Sequence, residues 1–78
     1  MSNYRNINSY NHNAIYQYCT RFLMLLRKQY YATGITEEIP FYMDVKRYNY
    51  QYTWYDTQQP VSYRSLKERG ILQRIGIE

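Results

Sequence analysis

A chain of 78 residues has room for one small domain, and this one carries twelve tyrosines and a net charge of +4. Cys19 is the only cysteine and His12 the only histidine. An internal disulfide is therefore impossible, and those two side chains alone cannot supply the four ligands of a structural zinc site. No catalytic acid pair, no nucleophile with a base nearby in sequence and no glycine-rich phosphate loop is visible, so the pattern argues against an enzyme and predicts no cofactor or metal.

Residues 1–12 are an Asn- and Ser-rich tail in which Tyr4, Ile7 and Tyr10 recur every three residues. This composition reads as a tail ordered only on a partner. Residues 13–78 read as a single small α+β domain. Asn13 is a suitable N-cap, and a helix is predicted from there to about Ala32. Its apolar set is Ile15, Tyr18, Cys19, Phe22, Leu25, Leu26 and Tyr30, at the steps of three and four that mark an amphipathic helix. Gln17, Arg21, Met24, Lys28 and Tyr31 fall on the opposite face. Arg27 and Lys28 lie toward the end, where cations suit the helix dipole. Gly34 stands where a helix-ending glycine belongs.

Ile39, Phe41, Met43 and Val45 are apolar at odd positions, whereas Tyr48, Tyr50, Tyr52 and Trp54 are apolar at even ones. Each run has the period of a strand. The change of parity is what a hairpin folded at Lys46–Arg47 requires. Val45 then faces Tyr48, Met43 faces Tyr50, Phe41 faces Tyr52 and Ile39 faces Trp54, with all eight on one face. Pro40 restricts the first strand to an edge or a start. The competing reading is a helix beginning near Pro40. Asp56–Pro60 reads as a turn. A short helix follows, capped by Ser62, with Leu66 inward and Gly70 at its end. Ile71, Gln73, Ile75 and Ile77 alternate, which predicts a short third strand or a tail laid on a partner. The fold class is thus one long amphipathic helix packed on a β-hairpin, a short C-terminal helix or strand, and an extended polar N-terminal tail.

Charge is unevenly placed. Residues 1–36 contain Arg5, Arg21, Arg27 and Lys28 and no acid, whereas the remainder is balanced. Lys46 and Arg47 add a basic hairpin tip beside the aromatic ladder Tyr48, Tyr50, Tyr52 and Trp54. These six cations are the candidate nucleic-acid contacts, and the ladder is either a stacking platform or, as favoured here, the core against the helix. The outward-facing tyrosines are the candidate protein interface: Tyr4, Tyr10, Tyr16, Tyr31, Tyr42, Tyr55 and Tyr63, together with Arg64. Tyrosine and arginine offer broad contact area with a polar end, and binding hot spots favour both. Arg64, Lys67 and Arg69 also give the Ser62–Arg69 segment a faint resemblance to a DNA-reading helix, with a solvated basic helix as the default. Cys19, on the apolar helix face, reads as a small hydrophobe.

These features predict a non-catalytic accessory or structural subunit of a larger protein assembly, such as a virion or an organellar or ribosome-like complex. Its partners would be other protein subunits or copies of itself. The alternatives are a small basic nucleic-acid-binding protein and a small inhibitor of a host or viral enzyme. The apolar run Phe22–Leu26 is far short of the about 20 residues of a membrane span. It also lacks the form of a secretory signal, which predicts an intracellular or virion location.

Overall fold

The computed structural model describes residues 12–46 and 50–78. Five elements follow in order: α1 (His12–Thr33), β1 (Phe41–Asp44), β2 (Gln51–Trp54), α2 (Tyr63–Glu68) and α3 (Ile71–Arg74). The α+β class expected from the pattern is the one found. Residues 1–11 of the expected tail, with Tyr4, Arg5 and Tyr10, and the hairpin residues Arg47, Tyr48 and Asn49 lie outside the described residues, whereas His12 opens α1.

Helix α1 includes Asn13 instead of starting after it, and it runs through to Thr33. Ile15, Cys19, Phe22 and Leu26 form its buried stripe, at steps of four, three and four. Tyr18 and Leu25 pack at the edge of that stripe. Tyr30, assigned to the apolar face, is instead half exposed. The buried stripe ends at Leu26, and the Tyr30 ring meets the exposed ring of Tyr31 instead. Arg27 and Lys28 also miss the dipole position expected of them, because the last turn holds no basic residue. Gly34 closes the helix with φ 77° and donates its N–H to the Tyr30 carbonyl at 2.7 Å. Only a residue without Cβ takes this left-handed conformation without strain.

The hairpin is antiparallel as expected, but its register differs by two residues. Phe41 faces Trp54 and Met43 faces Tyr52, with Tyr42–Thr53 and Asp44–Gln51 between and beyond them. A shift of two leaves each side chain on its own face, so the parity argument survives while every pairing changes. The cause lies in the connection. Lys46–Arg47 makes a poor two-residue turn. The chain instead uses a longer loop, closed by the Tyr50 N–H on the Asp44 carbonyl at 3.1 Å. Tyr50 leaves the ladder with φ 73°, and Val45 and Ile39 are exposed instead of paired.

Strand β2 is not an edge. The Trp54 N–H donates to the Gln59 carbonyl at 3.0 Å and the Val61 N–H to the Tyr52 carbonyl at 2.9 Å. Residues 59–61 therefore lie along β2 as a partial third strand, with a bridge between Thr53 and Pro60. Thr53, which the bridge places beside Pro60, is fully buried.

Helix α2 starts as expected at Ser62. Ser62 Oγ accepts from the Ser65 N–H at 3.2 Å, and the Ser62 N–H donates to Ser65 Oγ at 2.9 Å, a capping box built from two serines. Leu66 is fully buried. The C-terminal segment is neither strand nor extended tail. Gly70 turns the chain at φ 78°, and α3 buries Ile71, Leu72 and Ile75. Alternation of isoleucines suggested a strand, but Leu72 supplies the helical step, and the turn at Gly70 aims that face at α1. The core is one cluster in which Phe22, Phe41 and Trp54 meet edge-on or tilted, with ring centroids 6.0 Å and 5.6 Å apart.

Candidate functional site

Helix α1 contains no acid. Its exposed cations Arg21, Arg27 and Lys28 therefore face solvent without an ion-pair partner among the described residues. Arg21 and Lys28 rim a groove of about 290 Å³ between α1 and α3. Met24, Leu25 and Ile75 form its floor, and Arg74 its far wall. Arg21 makes one long contact there, with Nη2 donating to the Ile75 carbonyl at 3.4 Å, which leaves the rest of its guanidinium fork open. Met24 is 59% exposed, so the groove presents an apolar side chain to solvent.

Arg74 is fixed from the other side. Its Nη1 and Nη2 grip both carboxylate oxygens of Glu37 at 2.6 and 3.0 Å, and its guanidinium lies 5.2 Å from the centre of the Phe22 ring. Arg74 chiefly, helped by Gln29 Nε2 at 3.2 Å, holds the Glu37 carboxyl below the ordinary carboxylate range. Glu37 in turn lines a second groove, of about 480 Å³, with Leu23, Leu26, Arg27, Tyr30, Tyr31 and Ile39. The Arg74–Glu37 pair thus stands between two grooves that follow the C-terminal half of α1. Tyr31 is 77% exposed and Ile35, in the loop after α1, 61%. A third depression, beside the hairpin, is acidic in character and lined by Glu38, Pro40, Tyr55 and Asp56.

The candidate interface tyrosines divide. Tyr16 stacks on Tyr52 at 5.7 Å, Tyr42 lies 4.7 Å from Tyr55 and donates to Gln58 Oε1 at 2.9 Å, and Tyr63 donates to Glu78 at 2.7 Å. These four are committed, in whole or part, to contacts within the fold. Arg64 is exposed and pairs with Glu68 one helical turn on, at 3.3 Å. Tyr31 has its ring contact with the exposed ring of Tyr30, at 5.9 Å. Met24, Ile35 and Ile39 are exposed and apolar, and they lie outside the interface set read from the sequence. For Met24 the signal was available, since it falls on the outer face of α1. For Ile35 and Ile39 it was not, because their exposure follows from the loop path and the shifted register.

Of the cations proposed for nucleic acid, Arg21 and Lys28 share one groove and Arg27 lines the other, whereas Lys46 sits in the hairpin loop with its N–H on Asp44 Oδ1. Tyr52 and Trp54 of the aromatic ladder are turned into the core, and Tyr50 is exposed alone. The basic helix candidate is partly spent: Arg69 holds Asp56 through two contacts of 3.0 and 3.1 Å and lies 3.8 Å over the Trp54 ring. Among the described residues no group of three His, Cys, Asp or Glu side chains is gathered as for a metal, and no helix is long and apolar enough to cross a membrane. Comparison of the chain with protein-family models, with curated proteins and with solved structures finds no match.

Proposed function

We propose that this chain is a non-catalytic accessory or structural subunit of a larger protein assembly, held by a partner protein laid against the C-terminal half of α1. One observation carries the reading. Met24, Tyr30, Tyr31, Ile35 and Ile39 are all exposed around that half-helix and the loop after it, beside cations without a matching acid. A monomer of this size gains nothing by leaving these side chains in water, whereas a protein interface is built from such a mixture of aliphatic, tyrosine and basic groups. What favours a protein over a nucleic acid is the floor of the basic groove. It is aliphatic and offers no aromatic face on which a base would stack.

The test is a photo-crosslinking amino acid placed at Tyr31 and, separately, at the exposed Lys67 on α2, in the native cells. A defined protein adduct from position 31 that is absent from position 67 supports the reading. Adducts only to nucleic acid, equal adducts from both positions, or none would overturn it. Within the adduct-forming complex, Tyr31→Ala and Ile35→Ala should each cost the interface more than about 1 kcal/mol, since exposed anchors of this kind dominate binding energy.

A further inference from the structure

The groove between α1 and α3 has a more specific character than the face around it. Three cations surround it, and they are not equivalent. Arg74 already holds a carboxylate, that of Glu37, in the two-point geometry that a guanidinium offers. Arg21 and Lys28, seven residues apart on α1, have no ion-pair partner among the described residues. Between them lie Met24, Leu25 and Ile75, so an occupant must present apolar groups flanked by negative charge. The groove's 290 Å³ is at the small end of ligand sites, which suits inserted side chains.

We propose that this groove binds an acidic, amphipathic segment of the partner protein, with its carboxylates on Arg21 and Lys28 and its aliphatic side chains on Met24, Leu25 and Ile75. The proposal rests on the preceding reading that a protein covers this face, and it names the chemistry of that protein. A helix with an apolar stripe bordered by Asp or Glu is the matching form, because recognition of helices in grooves relies on such stripes. A second copy of this chain docked through the same face is disfavoured, since it would set Arg21, Arg27 and Lys28 against themselves. A polynucleotide would satisfy the cations and leave the aliphatic floor unmatched.

Glu37 gives the arrangement a built-in comparison. It shows that one wall of the groove accepts a carboxylate from this chain's own loop. Removing it frees a third cation, Arg74, for the partner. Glu37→Gln should therefore tighten the binding of an acidic segment, whereas Arg21→Glu with Lys28→Glu should weaken it.

The experiment is a methyl and amide NMR titration of the full chain. The probe is a synthetic helical peptide with leucines on one face bordered by glutamates, and the control is the same peptide with glutamines. The glutamate peptide should shift Met24, Leu25 and Ile75 in preference to the hairpin. The doubly reversed variant should bind it at least about tenfold more weakly, with Arg21→Lys and Lys28→Arg retaining most of the affinity. Both reversed positions are exposed, and circular dichroism confirms that each variant keeps its helix content. Equal binding of the glutamine peptide, shifts elsewhere, no shift at millimolar peptide, or stronger shifts of the same methyls by a single-stranded oligonucleotide would overturn the proposal. Concentration-dependent shifts without any peptide would replace it with self-association. Failure here is separable from failure of the broader reading. If position 31 still crosslinks to a protein while the charge reversals leave the yield unchanged, the face binds a partner but the groove does not read its acids.

Discussion

Trp54 is the residue on which most of the fold converges. It is 1% exposed, meets Phe41 edge-on, donates Nε1–H to Ser65 Oγ at 3.0 Å and lies under the Arg69 guanidinium. One ring therefore ties the hairpin to the first turn of α2. Trp54→Ala should cost about 3–5 kcal/mol, the range for loss of a buried large aromatic, and chemical denaturation followed by circular dichroism measures it. Cys19 is fully buried, and desolvation pushes its thiol from 9.0 to about 12. In the folded chain a thiol reagent should label it only as fast as the protein opens, so labelling and unfolding rates should coincide. Tyr50 has the opposite character. It is exposed and held at φ 73°, a conformation that L residues with a bulky side chain adopt at a cost of about 1–2 kcal/mol. Tyr50→Gly should remove that strain and stabilise the chain, less the entropy that glycine loses on folding. A lower melting temperature for this variant would show that the Tyr50 ring contributes more than its backbone costs.

At the scale of elements, the hairpin loop and Gly70 decide the arrangement. The register predicts that cysteines replacing Met43 and Tyr52 crosslink readily in a background with Cys19→Ala, because directly opposed side chains are close. Cysteines at Met43 and Tyr50 should not, and mass spectrometry under mild oxidation separates the two outcomes. The joint between α2 and α3 is Gly70, at φ 78°, with open space where a Cβ would sit. Substitution by alanine there meets no clash, so its cost is conformational alone, about 1 kcal/mol by the usual left-handed penalty. Asn, which tolerates this region, should recover part of it. Equal stability of the glycine and alanine forms would mean that α3 can dock by another path.

For the whole molecule, ion pairs placed far apart in sequence act as clasps with a defined pH response. Arg74–Glu37 links α3 to the loop after α1, and Arg69–Asp56 links the end of α2 to the turn after β2. Hydrogen bonds from these arginines lower the folded-state pKa of both carboxyls. A lowered value means that the contribution is present above the ordinary carboxylate pKa of about 4 and is lost as pH falls through the folded value. The groups at the alkaline end behave in the opposite sense. Burial raises the Cys19 thiol and the Tyr52 hydroxyl, and the hydrogen bond to Glu78 raises Tyr63. Their contribution is present below their ordinary values and lost as pH rises toward the folded ones. Stability measured by denaturant titration should therefore be flat near neutrality and fall on both sides. In Glu37→Gln with Asp56→Asn the acid limb should flatten while the alkaline limb stays in place.

How much of this was legible in the sequence follows from the range of the interactions involved. Periodicity alone determined the long helix and its buried stripe from Ile15 to Leu26. Parity determined that Phe41, Met43, Tyr52 and Trp54 share one face, and cap chemistry determined Ser62, Gly34 and Gly70 as boundaries. These are signals carried by residues within a turn or two of one another. Contacts across the fold decided the rest. The loop closed by Tyr50 set the pairing of Phe41 with Trp54, and residues 59–61 took up the outer side of β2. Packing against α1 made Ile71–Arg74 a helix where alternation suggested a strand. The sequence marked Arg21 and Lys28 as cations on the outer face of α1. Only the tertiary structure set Ile75 between them and gave Arg74 to Glu37, because those neighbours come from a segment about fifty residues away.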